Sequence, residues 1–228
     1  MARSRRIAPG GMVFHVLNRG VGRRVLFRSR ADYAAFERIL QQVLEVAPMR
    51  ILSYCLMPNH WHMLLWPQRD GQLAAFMQRL TTTHVRRFQQ HRHEIGQGHV
   101  YQGRFKSFPV QEDRHFLIVA RYIERNAVRA KLSAKSDDWQ WCSLWRREHG
   151  SAQERGLLGE WPVHRPADWL SWVNEPQTDK EIAELQLSIN RSRPYGDSTW
   201  QRKTAEQLGL QRSFREPGRP RKVDNVTG

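Results

Sequence analysis

The sequence has 228 residues, enough for one domain of ordinary size and an appendage. Its 37 Lys and Arg residues outnumber its 22 Asp and Glu residues, and the formal net charge of +15 predicts a polyanionic partner, most simply nucleic acid. Two cysteines are too few for a four-cysteine zinc site or a disulfide framework. We see no signal peptide and no apolar run near the ~20 residues of a membrane span, so we expect a reduced, cytoplasmic protein without membrane contact.

The first 130 residues alternate between strand-like and helix-like patterns. We predict strands over 12–17, 50–57, 61–66 and 105–110, and helices over 32–47, 72–93 and, capped by Asp113, up to about residue 130. Pro58-Asn59 predicts a hairpin between the second and third strands. The order β-α-β-β-α-β indicates an α+β fold of the ferredoxin-like (RRM-like) type, with an antiparallel sheet and both helices on one face. The third helix is an addition to that core.

Two histidines open the third predicted strand. His60 and His62 flank Trp61, and because side chains alternate faces along a strand, both imidazoles point the same way. Their Cα atoms would lie roughly 6.5 Å apart, which lets both rings reach one cation. The pair is the best metal-site candidate in the chain, although two ordinary surface or core histidines would show the same spacing.

The third predicted helix carries a tyrosine and an amide on one face. Tyr122 and Asn126 are one turn apart, on the shoulder of an apolar stripe, so a phenol and an amide meet at the boundary between core and solvent. Arg125 and Arg129 lie beside them. Local hydrogen bonding without a catalytic role is the alternative explanation.

Three blocks of sequence carry a family resemblance. Residues 57–62 (MPNHWH), 98–107 (GHVYQGRFKS) and 121–130 (RYIERNAVRA) resemble, in order and spacing, the signature blocks of IS200-like tyrosine transposases. Within that group the chain is most similar to the REP-associated tyrosine transposases, over about residues 5–148. Ala127 stands where the family commonly has proline, and Trp61 where a smaller hydrophobic residue is usual. Neither change removes a functional group.

The resemblance implies metal-dependent cleavage and joining of single-stranded DNA at palindromic, REP-like hairpins. It implies that Tyr122 is the nucleophile, that the third helix is therefore the nucleophile-bearing helix, and that a 5′-phosphotyrosine intermediate forms. His60, His62 and Asn126 would bind a divalent cation, Mg²⁺ or Mn²⁺, which suits an amide oxygen and would neutralise charge on the phosphate. Among the other tyrosines Tyr101 is the main rival, because it precedes a strand beside polar and basic residues.

Several polar side chains are candidates for DNA contacts, since arginine and amide groups bind phosphates and bases. An arginine that is simply solvated is an equally good explanation for each of them. The candidates in the first 148 residues are Asn18, Arg19, Arg104, Arg125 and Arg129.

The pattern changes near residue 146, and we divide the chain into a catalytic domain, 1–148, and a basic C-terminal extension, 149–228. In the extension we predict a loop over 150–159 and helices over 179–187 and 199–208. The final segment Gly218-Arg219-Pro220-Arg221-Lys222 resembles an AT-hook, in which Arg219 and Arg221 would enter an A·T-rich minor groove. A basic, disordered terminus is the alternative. The oligomeric state stays open between monomer and homodimer.

Two other functions compete with strand cleavage. A ferredoxin-like sheet with basic charge also suits a non-catalytic protein that binds single-stranded DNA or RNA. A zinc-dependent hydrolase would need a third strong ligand besides His60 and His62, and no motif supplies an obvious one.

Overall fold

The computed structural model describes residues 7–215, in which four strands form one antiparallel sheet. The strands are β1 Val13–Arg19, β2 Arg50–Met57, β3 His60–Trp66 and β4 Lys106–Val110, in the spatial order β2-β3-β1-β4. The helices are α1 Arg30–Val46, α2 Gln72–His91, α3 Arg114–Glu124, α4 Asn126–Arg129, α5 Ser143–His149, α6 Ala152–Arg155, α7 Trp169–Asn174, α8 Asp179–Arg191 and α9 Ser198–Gln207. This element order and this strand order are those of the ferredoxin-like fold, so the predicted fold class is confirmed.

Helices α1 and α2 cover one face of the sheet. Ser29 begins α1 with a capping box, in which its hydroxyl accepts from the Asp32 backbone and the Asp32 carboxylate accepts from the Ser29 backbone. The apolar stripes of both helices pack on the odd-numbered side chains of β3, namely Trp61, Met63 and Leu65. Trp61 is fully buried there. The alternate residues of β3 therefore point to the opposite face.

Helix α3 covers that opposite face. Asp113 caps it as predicted, because its carboxylate accepts from the backbone N–H of His115 at 2.7 Å. Phe116, Val119 and Ile123 pack in a second core cluster that includes Leu64 of β3. The added helix thus lies on the side of the sheet to which His60 and His62 point.

We predicted one continuous third helix up to about residue 130, and this prediction is wrong in one respect: the helix is interrupted. It ends at Glu124, and the backbone at Arg125 leaves helical geometry at φ −88° and ψ 0° before the short α4 begins. Asn126 is therefore the first residue of a new helical turn. Three further helices, α5, α6 and α7, were not predicted, and α6 lies within the predicted loop over 150–159.

The C-terminal extension packs against α3 and the edge of the sheet. The indole N–H of Trp169 donates to a carboxylate oxygen of buried Glu124 at 2.8 Å. Tyr195 pairs with β4, because its backbone N–H donates to Pro109 at 2.9 Å and its carbonyl accepts from Gln111 at 2.9 Å. Arg219 and Arg221 of the AT-hook-like segment lie outside the described residues. Within residues 7–215 no helix is long and apolar enough to span a membrane.

Candidate active site

Strand pairing fixes the two histidines at the end of the sheet nearest the β2–β3 turn. His60 pairs with Arg19 of β1 and His62 with Leu17, so both rings share the face covered by α3. Their ring centroids are 5.1 Å apart and nearly perpendicular. His60 is partly exposed at the opening, whereas His62 is only 4 % exposed.

A cavity of about 370 Å³ joins the two histidines to the residues of the third signature block. Tyr122 enters it from the end of α3, with its ring centroid 6.0 Å from that of His62. Asn126 and Arg129 enter from α4, and Arg19 from β1. The structure thus brings together residues that are separated by more than one hundred positions in the chain.

A neighbouring amide determines which ring nitrogen of His60 carries the proton. Nδ1 lies 2.6 Å from the side-chain oxygen of Asn59. Because an amide oxygen can only accept, Nδ1 carries the proton and Nε2 keeps its lone pair. This is the tautomer that a metal ligand requires at Nε2.

A third histidine, His15 of β1, lies behind His62. Its Nε2 is 2.9 Å from Nδ1 of His62, and the two rings stack with centroids 5.0 Å apart. His15 is fully buried, and its Nδ1 has no hydrogen-bond partner among the described residues. Sequence reasoning missed His15 because a single histidine in an apolar strand looks like a core residue. His15 is two residues before Leu17 on β1, so the two side chains point to the same face of the sheet. The pairing of β1 with β3 is needed to place His15 beside His62.

Burial keeps the three rings neutral near neutral pH. It lowers the pKa of His15 to about 3, with a smaller contribution from Arg129, and the pKa of His60 to about 4, with contributions from Arg19 and Arg129. The pKa of His62 is also well below its usual value, through burial first and then the neighbouring His15. Neutral imidazole is the form that binds a metal ion.

The described part of the chain contains no group of three or more His, Cys, Asp or Glu side chains placed to hold a metal ion. A third protein ligand to a metal ion would therefore be of another type, and the Asn126 amide lies in the cavity. The residues fit a divalent cation in one further respect: the Asn126 side-chain oxygen has two lone pairs, and within residues 7–215 only Arg129 donates to it.

Arg129 connects Asn126 with Tyr122. Its guanidinium lies 3.8 Å from the centroid of the Tyr122 ring, in cation–π geometry, and one of its N–H groups donates to the Asn126 side-chain oxygen. The phenol, itself only 5 % exposed, is thereby held between a cation and the two-histidine end of the sheet.

The other tyrosines lie elsewhere. Tyr101, the main rival, faces α2 on the far side of the sheet, where its hydroxyl accepts from the Trp61 indole at 3.1 Å and lies 2.6 Å from Nδ1 of His84. Burial raises its pKa. Tyr54 donates to Glu37 in the core. Of the five tyrosines, all within the described residues, Tyr122 alone lines the cavity with His60 and His62.

Of the residues predicted to contact DNA, Arg19 and Arg129 line the first cavity. Asn18, Arg19 and Arg104 line a second cavity of about 480 Å³ that adjoins the first. Arg125 lines neither cavity, because its guanidinium donates to the carbonyls of Val173 and Asn174 at the end of α7. Its position indicates a role in holding the extension.

The family model of IS200-like transposases matches residues 10–126, which is just over half of the chain and includes both histidines, Tyr122 and Asn126. The chain belongs to the IS200-like transposase family. This transposase is also similar to a solved structure of a REP-associated tyrosine transposase bound to a REP hairpin, with a TM-score of 0.52 and 16 % identity over 78 % of this chain and 93 % of that one. At that identity the likeness shows the fold alone. No curated protein sequence matches this one.

Proposed function

We propose that this transposase cleaves and rejoins single-stranded DNA beside palindromic hairpins of the REP type, through a covalent 5′-phosphotyrosine on Tyr122. The observation that carries the proposal is the shared cavity of Tyr122, His60, His62 and Asn126, which come from two sequence blocks that lie about sixty positions apart in the chain. Membership of a transposase family supports DNA strand cleavage. The hairpin as substrate is supported by the similar fold of a transposase solved with a REP hairpin.

In this proposal Nε2 of His60, Nε2 of His62 and the Asn126 amide oxygen would hold a divalent cation, Mg²⁺ or Mn²⁺. When bound, the cation would neutralise charge on the scissile phosphate. His15 orients His62 through its hydrogen bond to Nδ1. Two neutral imidazoles and one amide leave coordination positions for phosphate oxygens and water.

Tyr122 and Arg129 have different roles in the proposed reaction. The Tyr122 phenol gives up its proton to water as its oxygen attacks the scissile phosphorus, the bond from phosphorus to the 3′ oxygen breaks, and the released 3′ oxygen takes up a proton from water to become a hydroxyl. Arg129, packed on the Tyr122 ring, fixes the direction of the phenol and adds positive charge beside the phosphate. Because the phosphotyrosine keeps an ester bond, attack by a 3′ hydroxyl in the same site rejoins the strands.

A covalent-adduct assay tests the proposal. The protein is incubated with a hairpin oligonucleotide carrying unpaired flanks and with Mn²⁺, and the products are separated under denaturing conditions. We expect a protein–DNA adduct with wild-type protein and with Tyr101→Phe, but none with Tyr122→Phe or in excess chelator. A protein that binds the hairpin without ever forming an adduct would instead be the non-catalytic binder.

A further inference from the structure

Helix α8 of the C-terminal extension forms one wall of the active-site cavity. It contributes Gln186, Ile189 and Asn190 to the cavity that contains Tyr122 and the two histidines. Ile189 and Asn190 also line the second cavity, together with Arg19 and other residues of β1 and the loop before β4. The two cavities therefore share α8 and the end of β1 as common walls.

The position of α8 is set by contacts at its start and along its buried side. Arg121 of α3 donates to the carbonyls of Glu175 and Pro176 at 2.8 and 3.0 Å, just before the helix begins. Thr178 and Glu181 form a capping box there. Leu185 is fully buried in the cluster around α3. Since Gln186 and Asn190 are one turn apart, they share the face that points to the cavities.

The walls carry unpaired amides and cations and no acid. The side chains of Gln186 and Asn190 are exposed and make no hydrogen bond to any residue within 7–215. Arg19, Arg104 and Lys106 are exposed at the second cavity and form no ion pair within the same range. Of the Asp and Glu residues within 7–215, none lines either cavity. Such a surface suits a polyanion, and its amides can both donate to phosphates and pair with base edges.

We propose that the strand cleaved by Tyr122 runs beneath α8, from the first cavity past Arg19 into the second, and that Gln186 and Asn190 contact the nucleotides next to the cleaved phosphate. This inference rests on the proposed function. The occupant is unpaired DNA, because the proposed cleavage is of a single strand and because base edges are open to amide side chains when the nucleotides are unpaired. Helix α8 lies outside the matched family region, so these contacts belong to the extension of this chain.

The first test measures binding without chemistry. Gln186→Ala and Asn190→Ala are combined in Tyr122→Phe protein, and affinity is measured by fluorescence anisotropy for a hairpin with unpaired flanks and for the same hairpin without them. We expect a loss of roughly fivefold per amide for the flanked hairpin and none for the blunt hairpin. The matched control is Gln207→Ala, an exposed amide of α9 that lines neither cavity. Equal affinities of variant and control for the flanked hairpin would overturn the inference.

The second test locates the strand. Asn190→Cys is offered oligonucleotides that carry a thiol tether at successive phosphates of the flank. The native Cys55 and Cys142 are fully buried and do not compete. We expect disulfide formation at phosphates next to the cleaved position, and much less with Gln207→Cys at the same exposure. Crosslinking that does not exceed that control, or faster cleavage when Gln186→Ala and Asn190→Ala are combined in protein that keeps Tyr122, would show that α8 covers the cavity without contacting the strand.

These readouts separate the inference from the proposed function. If the α8 variants lose affinity for the flanked hairpin but the wild-type protein never forms an adduct, the strand path is supported and the proposed cleavage by Tyr122 is contradicted. If an adduct forms on Tyr122 but the α8 variants bind the flanked hairpin as tightly as the control, the proposed cleavage is supported and the strand path is contradicted.

Discussion

Nε2 of His15 lies 2.9 Å from Nδ1 of His62, in the core of the sheet directly behind the candidate metal site. For His62 to present a lone pair at Nε2, its Nδ1 must donate to His15, and the proton of His15 then sits on its own Nδ1. That atom has no partner among the described residues. A buried unpaired N–H costs roughly 1–3 kcal/mol, so the fold maintains this arrangement at a price in stability.

Removal of His15 should therefore weaken metal binding. We expect His15→Phe, which keeps a ring but loses the acceptor, to bind Mn²⁺ about 10–100-fold more weakly, the usual effect of losing the partner of a ligating histidine. Isothermal titration with Mn²⁺ measures this directly. The control is His84→Phe, a buried histidine on the other face beside Tyr101, which should leave the Mn²⁺ affinity unchanged. Wild-type affinity in His15→Phe would show that His15 is only a packing residue.

Replacement of the two candidate ligands should affect cleavage more than binding. We expect His60→Ala or His62→Ala to reduce the nicking rate by about 10²-fold or more, since a lost charge-stabilising group costs that much in comparable sites. Hairpin affinity should change little, because most DNA contacts come from cationic groups elsewhere. Single-turnover nicking and anisotropy on the same preparations separate the two. Undiminished cleavage by the double variant in excess EDTA would contradict a metal role.

Buried Glu124 should make the stability of the fold depend on pH. Its carboxylate accepts from Ser143 at 2.6 Å and from Trp169 at 2.8 Å, yet burial raises its pKa above the usual value. A carboxyl whose pKa is raised in the folded state destabilises the fold when it is ionised. This destabilisation is absent below the pKa of the unfolded state and grows as the pH rises to the pKa of the folded state. Glu124→Gln stays neutral. The urea midpoint of the variant relative to wild type should therefore increase from pH 4 to pH 8, whereas a pH-independent difference would contradict the raised pKa.

The C-terminal tail should add affinity and leave chemistry unchanged. A chain ending at residue 215 lacks Arg219, Arg221 and Lys222, and if these cations contact DNA, the slope of log affinity against log salt should fall by up to about 0.7–0.9 for each. Nicking at saturating DNA should be unaffected. Replacing the three residues with Gln in the full chain is the matched control for length. An unchanged salt slope would show that the tail does not contact phosphates.

The local part of the site follows from the sequence. Alternation along β3 is sufficient to place His60 and His62 on one face and Trp61 on the other, because strand periodicity does not depend on the rest of the fold. The cap at Asp113 and the turn at Pro58-Asn59 are equally local. Each was predicted from a few neighbouring residues.

The remaining features depend on long-range packing. The break at Arg125 accompanies its hydrogen bonds to the end of α7, which no helical pattern reveals. His15 reaches His62 only through the register of β1 on β3, and Tyr101 is separated from the site only because its loop lies on the α2 side of the sheet. The wall formed by α8 requires the whole extension to fold back over α3. Such contacts join residues far apart in the chain, and single-sequence patterns carry no signal for them.

The role of Tyr122 as the nucleophile is tested most directly by mapping the covalent bond between protein and DNA. Wild-type protein is trapped on a cleaved, flanked hairpin in Mn²⁺, digested with protease, and the DNA-linked peptide is sequenced by mass spectrometry. We predict one phosphodiester adduct, on Tyr122 in the peptide that ends α3. An adduct mapped to Tyr101, or an adduct of normal yield in Tyr122→Phe protein, would contradict it.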